Sequence, residues 1–145
     1  MNTTIQQLAI FLENRTGRLQ EVLQILAEEQ VNIVALSLAD TSDFGLLRMI
    51  VSNPMQGQIA LQEKGIIAQL TEVIAIRVPH EVGSLAKAMK VLGDAGINVE
   101  YMYAFANGDE TSAVLKADKL DSIVHLLSQH GFCVWSAEEA YCLTT

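Results

Sequence analysis

The sequence repeats itself at an interval of 66 residues, and no gap is needed to keep the register. Nine of about sixty aligned pairs are identical, and they fall at turn glycines and apolar positions, where a shared backbone restricts the choice of residue. The identical pairs are Ala9/Ala75, Ile10/Ile76, Gly17/Gly83, Leu19/Leu85, Leu26/Leu92, Asn32/Asn98, Asp43/Asp109, Leu61/Leu127 and Gly65/Gly131. We interpret the chain as two copies of one unit, residues 1–70 and 71–145.

The length and composition suit two small folded units. The chain has 145 residues, half of them hydrophobic, and only eleven glycines and prolines, so there is material for packed cores and no signature of disorder. Seventeen acidic residues against nine basic ones give a net charge of −8. That sign disfavours nucleic acid and anionic membrane as partners.

Other bulk features indicate a cytoplasmic oligomer. No apolar run reaches the roughly 18–20 residues that span a bilayer, and the first residues lack the pattern of a signal peptide. We expect Cys133 and Cys142, which form no CxxC motif, to be inert packing thiols. The mean hydropathy of +0.28 suggests apolar surface buried between subunits or between the two halves of the chain, and we expect a homo-oligomer, in the simplest case a dimer.

Hydrophobic periodicity predicts the same order of elements in both copies. In the first, Leu8, Ile10 and Leu12 alternate as in a strand, and apolar residues at 19, 22, 23 and 26 have helical spacing. Strands are expected at 31–36, 46–51 and 66–70, with turn residues Thr41-Ser42-Asp43 and a helix that begins at Asn53-Pro54 and ends near Gly65.

The second copy predicts strands at 73–78, 97–106, 111–117 and 132–135. A helix covers residues 85–92, and another, with Asp118 as its N-cap, ends at Gly131. The order βαββαβ predicts an α+β fold made of two ferredoxin-like units in tandem, each an antiparallel sheet with its helices on one face.

The sequence lacks the usual catalytic motifs. It contains no GxSxG, HExxH or GxxxxGK[ST] motif and no cysteine and histidine placed as nucleophile and base. We therefore expect a protein that is not an enzyme and uses no metal or cofactor. His125 and His130 are expected at the surface, whereas His80 either contacts a ligand or is only a loop residue.

Two matching loops are the candidate sites. Each places a glycine just before a helix, so the free N–H groups of residues 17–19 and 83–85 would face outward at the positive end of a helix dipole and hold a carboxylate. The alternative is that each glycine serves only the turn. The candidate residues in these loops are Asn14, Thr16, Gly17, Arg18, Leu19, His80, Gly83, Ser84 and Leu85.

Asn32 and Asn98 form a second matching pair, at the start of otherwise apolar strands. Each amide either caps a turn or binds both the ammonium and the carboxylate group of an amino acid. Tyr101, Tyr103 and Phe105 share one face of their strand and either pack in an interface or line a ligand cavity.

The sequence resembles the ACT domain, a small ligand-sensing module of amino-acid metabolism. The stretches that carry the resemblance are Leu12–Leu19, Val31-Asn32-Ile33 and Leu46–Val51, and more loosely Gly83-Ser84-Leu85 and Gly96–Val99. It implies the βαββαβ fold and amino acids held at the contact between two ACT units. Asn14, Gly17, Leu19 and Asn32 match the first site's pattern, and Gly83, Leu85 and Asn98 match the second's. Thr16 stands where the family commonly has proline, and Leu12 where serine-sensing relatives have histidine.

The resemblance favours a non-catalytic regulatory sensor that binds a small amino acid. One alternative is a regulatory subunit of a larger enzyme of amino-acid metabolism, similar to the small subunit of acetolactate synthase. The other is a small enzyme, because ferredoxin-like scaffolds host many unrelated chemistries.

Overall fold

A computed structural model describes residues 2–40 and 43–142, and the chain forms two compact units. Residues 6–71 with 141–142 make up the first unit, and residues 2–5 with 72–140 make up the second. Each has the order strand, helix, strand, strand, helix, strand. The expected tandem α+β, ferredoxin-like fold is therefore confirmed.

The first unit has helices α1 and α2 and the strand order β2-β3-β1-β4. Strand β3 lies between β1 and β2 and runs antiparallel to both, with Leu47 opposite Ile10 on one side and Leu38 on the other. The elements are β1 (Ile5–Glu13), α1 (Arg18–Glu28), β2 (Ile33–Asp40), β3 (Phe44–Val51), α2 (Pro54–Glu63) and the beginning of β4 (Ala68–Pro79).

The second unit repeats this arrangement with the strand order β7-β4-β6-β5. Strand β6 runs antiparallel to β4 and β5, and its Val114 lies opposite Ala75 and Tyr103. After the remainder of β4, the elements are α3 (Ser84–Asp94), β5 (Val99–Asn107), β6 (Glu110–Ala117), α4 (Leu120–Gln129), β7 (Cys133–Val134) and a short helix α5 (Ala137–Tyr141).

Each unit buries one face of its sheet against its two helices. The alternating residues Leu8, Ile10 and Leu12 of β1 pack with Val22 and Leu26 of α1. Their counterparts in the second unit are Ile74, Ile76 and Val78, which pack with Ala88 and Leu92 of α3. The two sequence periods, two for the strands and 3.6 for the helices, thus account for both cores.

Several predicted helix ends are confirmed. The Asn53 side chain accepts a hydrogen bond from the Gln56 N–H at 3.2 Å, and Pro54 follows in the first turn of α2. Gly65 and Gly131 follow the ends of α2 and α4 with φ of 79° and 80°, the left-handed conformation that glycine adopts without strain. Among the described residues, no helix is long and apolar enough to span a membrane.

Three expectations are wrong. The strands predicted at 66–70 and 73–78 are one strand, β4, because Leu70-Thr71-Glu72 contains no residue that breaks a strand. Asp118 does not cap α4, since Lys119 occupies the N-cap position in a left-handed conformation. Both cysteines are free, as expected, but they are exposed and are not packing residues. The predicted turn residues Thr41 and Ser42 lie outside the described residues.

Candidate functional site

The two glycine loops have the same hydrogen-bonding pattern, displaced by 66 residues. In the first, the Asn14 N–H donates to the Asp43 carbonyl at 3.1 Å; in the second, the His80 N–H donates to the Asp109 carbonyl at 2.8 Å. Gly17 and Gly83 precede their helices with φ of 87° and 88°. The repeat found in the sequence therefore extends to the backbone geometry of the two loops.

Each loop leaves backbone donors free at the start of its helix. Among the residues that the structure describes, the N–H groups of Gly17 and Leu19 have no acceptor, and neither do those of Gly83 and Leu85. These donors lie beside the positive end of a helix dipole, where an anion is stabilised. The geometry suits one carboxylate per loop.

The expectation that three consecutive N–H groups are free is wrong for the middle one. The Arg18 N–H donates to the Arg15 carbonyl at 3.3 Å, and the Ser84 N–H donates to the Glu81 carbonyl at 3.2 Å. Each bond closes a tight turn ahead of the helix, so residues 18 and 84 keep only their side chains for a ligand.

The side chains give the two loops different charges. The first carries Arg15 and Arg18, and Arg18 Nη1 lies 2.9 Å from Oε2 of Glu21. The Arg18 side chain is only 18% exposed, and its Nε–H is buried without a hydrogen-bond acceptor. The second loop has Glu81 and Ser84 at the equivalent positions. Arg15 is paired as well, with Glu13 at 3.2 Å, and the second copy has Lys87 where the first has Glu21. The two loops therefore differ in which side chains carry charge, a contrast visible in the sequence once its two copies are aligned.

His80 is anchored. Its Nδ1 lies 2.7 Å from Oγ1 of Thr111, and its side chain is exposed. The first copy has Asn14 and Gly45 at the equivalent positions, so it lacks this bond. Thr16 and its counterpart Val82 are both exposed at the tips of the loops.

Asn32 and Asn98 are exposed, one residue ahead of β2 and β5. The Asn32 N–H donates to the Ser52 hydroxyl at 2.9 Å, and the Asn32 carbonyl accepts from the Ser52 N–H at 2.8 Å. Neither asparagine side chain has a hydrogen-bond partner within residues 2–40 and 43–142. The structure therefore gives no support to the capping alternative.

Within one unit the loop and the asparagine do not come together. Gly17 precedes α1 and Asn32 follows it, and eleven residues of helix span about 16 Å. The same separation applies to Gly83 and Asn98 across α3. A small amino acid cannot bridge that distance, so the loop and the asparagine of the same unit cannot contact one such ligand together.

The predicted aromatic face of β5 is present. Tyr101, Tyr103 and Phe105 are half-buried and lie opposite Lys116, Val114 and Ser112 of β6. Trp135 lies beside β6, where its Nε1–H donates to the buried Ser112 hydroxyl at 2.8 Å.

Comparison with known proteins identifies the class of protein that this fold and these loops define. Residues 3–135 match the family described as an ACT domain pair, and the chain belongs to that family. It is similar to the crystal structure of protein BT0572 from Bacteroides thetaiotaomicron, with 38% identity, a TM-score of 0.94, and coverage of 97% of this chain and 98% of the other.

The fold is shared with more distant proteins. The ligand-free regulatory subunit of aspartate kinase from Thermus thermophilus is 18% identical, with a TM-score of 0.62 over 89% of this chain and 93% of the other. The aspartokinase structure of alpha and beta subunits is 13% identical, with a TM-score of 0.61 over 88% and 91%. Comparison with curated proteins gives no match.

Proposed function

We propose that this protein is a non-catalytic regulatory sensor that binds a small amino acid through its glycine loops. The observation that carries the proposal is the pair of free N–H groups beside the left-handed glycine in each loop, at Gly17 and Leu19 and again at Gly83 and Leu85. These donors hold the ligand's carboxylate. Membership of the ACT domain pair family supports this role.

The remainder of the site comes from another unit. The unpartnered amide of Asn32 or Asn98 accepts from the ammonium group of the ligand and donates to its carboxylate. Because loop and asparagine lie at opposite ends of one helix, the ligand sits at the contact between two units. We also infer that the protein acts as a homo-oligomer and works in the cytoplasm. Binding favours one packing of the units, to which a partner enzyme responds.

A thermal-shift screen against the twenty common amino acids tests the proposal. Ligand at about 100-fold over its Kd stabilises a protein by roughly 2.7 kcal/mol, which corresponds to several degrees in Tm for a chain of this length. A clear response to one amino acid is expected. A flat panel from a folded sample contradicts the sensor function.

Substitution of Gly17 by Asp and by Asn locates the site. A side chain at this position meets no atom within 4 Å, and Asp and Asn carry a similar, modest strain at a φ of 87°. The two variants therefore differ mainly in charge. We expect Gly17→Asp to abolish binding by repelling the ligand's carboxylate and Gly17→Asn to retain it. Wild-type affinity in both variants excludes the first loop, and Gly83→Asp with Gly83→Asn tests the second.

A second candidate function is a dedicated regulatory subunit of a larger enzyme of amino-acid metabolism, similar to the small subunit of acetolactate synthase. The observation that favours it is the fold shared with the regulatory subunit of aspartate kinase over nearly the whole of both chains. Co-purification from the native cell would yield a catalytic chain whose rate changes when this protein is added. A flat amino-acid panel together with such a chain favours this function over the free-standing sensor.

A further inference from the structure

The second unit contains a cleft that is separate from its glycine loop. It has a volume of about 460 Å³ and lies between the turn after α3 and helix α4. Ile97 and Leu126 contribute apolar surface to it. Its polar side chains are those of Asn98, Asp118, Lys119, Ser122, His125 and Gln129. None of these six side chains has a hydrogen-bond or ion-pair partner in the described part of the chain.

In the first unit, a hydrogen bond between two side chains spans the equivalent space. Gln56 Nε2 on α2 donates to Glu29 Oε2 at the end of α1, at 3.2 Å. The second copy has Ser122 and Ala95 at these two positions, and both side chains are too short to form the bridge. The first unit has a cleft of about 330 Å³ at the equivalent turn, lined in part by Gln30, Val31 and Asn32, but only in the second unit is the space between this turn and the adjoining helix left without the bridge.

The start of the second helix also differs between the two units, at α2 in the first and α4 in the second. In the first unit, Asn53 has a φ of −144° and its side chain caps α2. In the second unit, Lys119 has a φ of 58° and no side chain caps α4. A non-glycine residue in this conformation costs roughly 1–2 kcal/mol, and such strain occurs preferentially at functional sites. Lys119 is one of the residues that line the cleft.

The lining determines the chemistry of a ligand. Lys119, Ser122 and His125 offer an ammonium group, a hydroxyl and a ring nitrogen to anionic oxygens, and Asp118 offers an acceptor to a donor group of the ligand. The volume lies within the range of about 300–1,000 Å³ that small-molecule sites occupy. We propose that this cleft binds a small organic anion, a carboxylate or a phosphate, that also carries a hydroxyl or amino group.

The cleft is separate from the glycine loop of its own unit, although Asn98 belongs both to the cleft and to the proposed amino-acid site. The cleft lies at the C-terminal end of α3, and the glycine loop lies at its N-terminal end, about 16 Å away along eleven residues of helix. The Gly17 and Gly83 variants test the loops, whereas a probe that shifts His125 tests the cleft, so the failure of one proposal is distinguishable from the failure of the other. Asn98, which borders the cleft and belongs to the amino-acid proposal, is left unchanged in the test.

Proton NMR of the histidine rings tests the cleft, because the chain has three histidines in three different places. The protein is titrated separately with inorganic phosphate and L-malate at constant pH and ionic strength, with signals assigned by single His→Gln variants. We expect saturable shifts of the His125 signals and no saturable shift of His80 or His130. A response to phosphate alone indicates phosphorylated ligands, and a response to malate alone indicates carboxylates. No saturable response of His125 to either probe overturns the proposal.

A variant that copies the first unit supplies the control. Ala95→Glu with Ser122→Gln rebuilds the Glu29–Gln56 pair inside the cleft, and we expect the affinity for the responding probe to fall at least tenfold. Ser128→Gln makes the same kind of change on the same helix outside the cleft and is expected to leave affinity unchanged. All three altered residues are exposed, and urea unfolding checks that each variant folds. Should the double variant unfold, Ser122→Gln alone is titrated. Unchanged affinity in the folded variant overturns the proposal.

Discussion

The hydrogen bond between Trp135 and Ser112 is expected to be a main stabilising contact of the second unit. The indole Nε1–H donates to the Ser112 hydroxyl at 2.8 Å, and the two residues are 7% and 0% exposed. The guanidinium of Arg77 lies 4.0 Å from the centre of a Trp135 ring. The indole is thus held by a buried polar contact on its edge and a cation on its face.

Trp135→Phe removes the donor and keeps an aromatic ring. Loss of a buried hydrogen-bond partner costs about 1–3 kcal/mol, and a weakened cation–π contact adds up to about 1 kcal/mol. We expect the free energy of unfolding to fall by about 1–4 kcal/mol, measured as a lower urea midpoint with an unchanged slope. Ser112→Ala leaves the indole N–H without its acceptor and is expected to cost about 1–3 kcal/mol.

The double variant decides whether these costs come from the hydrogen bond. With both partners removed, no polar group of the pair is left unsatisfied, so Trp135→Phe with Ser112→Ala should cost at least about 1 kcal/mol less than the sum of the single variants. Additivity within about 0.5 kcal/mol would refute the reasoning, since it would mean that the two side chains act independently.

Three further predictions concern a glycine pair, an asparagine and an ion pair. Gly131→Ala should lower stability by about 1–2 kcal/mol, because residue 131 has a φ of 80°. Gly93→Ala should raise stability by up to about 1 kcal/mol, because residue 93 lies in α3 and no atom is near the added carbon. Urea unfolding measures both changes. Asn32→Ala should leave Tm within about 2 °C and weaken amino-acid binding by roughly 1–3 kcal/mol in calorimetry, and a large loss of Tm would restore the capping role. Glu110 is bonded to Arg77 at 2.9 and 3.0 Å and raises the pKa of the guanidinium above its usual value. The stabilising effect of this ion pair is therefore complete at lower pH and declines only as the pH rises through the raised pKa of Arg77. Glu110→Gln should thus cost the same, about 0.5–1 kcal/mol, at every pH from about 6 to about 10 in urea titrations, and a cost that decreases within that window would contradict the assignment.

Much of the fold follows from local signals. The alternation of Leu8, Ile10 and Leu12 and the helical spacing from Leu19 to Leu26 predict the elements that build the first core. The proline after Asn53 and the glycine at 65 predict both ends of α2. These signals are reliable because each depends on the conformational limits of a residue and its immediate neighbours.

The errors do not share one cause, and only one of them involves a contact far along the chain. Strand β4 continues through residues 70–72, although the repeat suggests a break there. The sequence gives no sign of the short helix α5, whose Ala137 N–H donates at 2.8 Å to the carbonyl of Asn2, near the other end of the chain. Lys119 takes the cap position in place of Asp118, although the sequence favours an aspartate for that role.

The repeat, the order of elements, the resemblance to the ACT family and the two glycine loops can all be read from the amino-acid sequence. Each of them depends on local backbone preference or on similarity between aligned residues. Three other properties emerge only in the folded chain: which loop N–H groups remain free, the helix length that separates each asparagine from the loop of its own unit, and the cleft beside Ala95 and Ser122. The cleft depends on packing between elements that are remote in sequence, whereas the free N–H groups and the helix length depend on backbone geometry that the pattern of residues does not give in atomic detail.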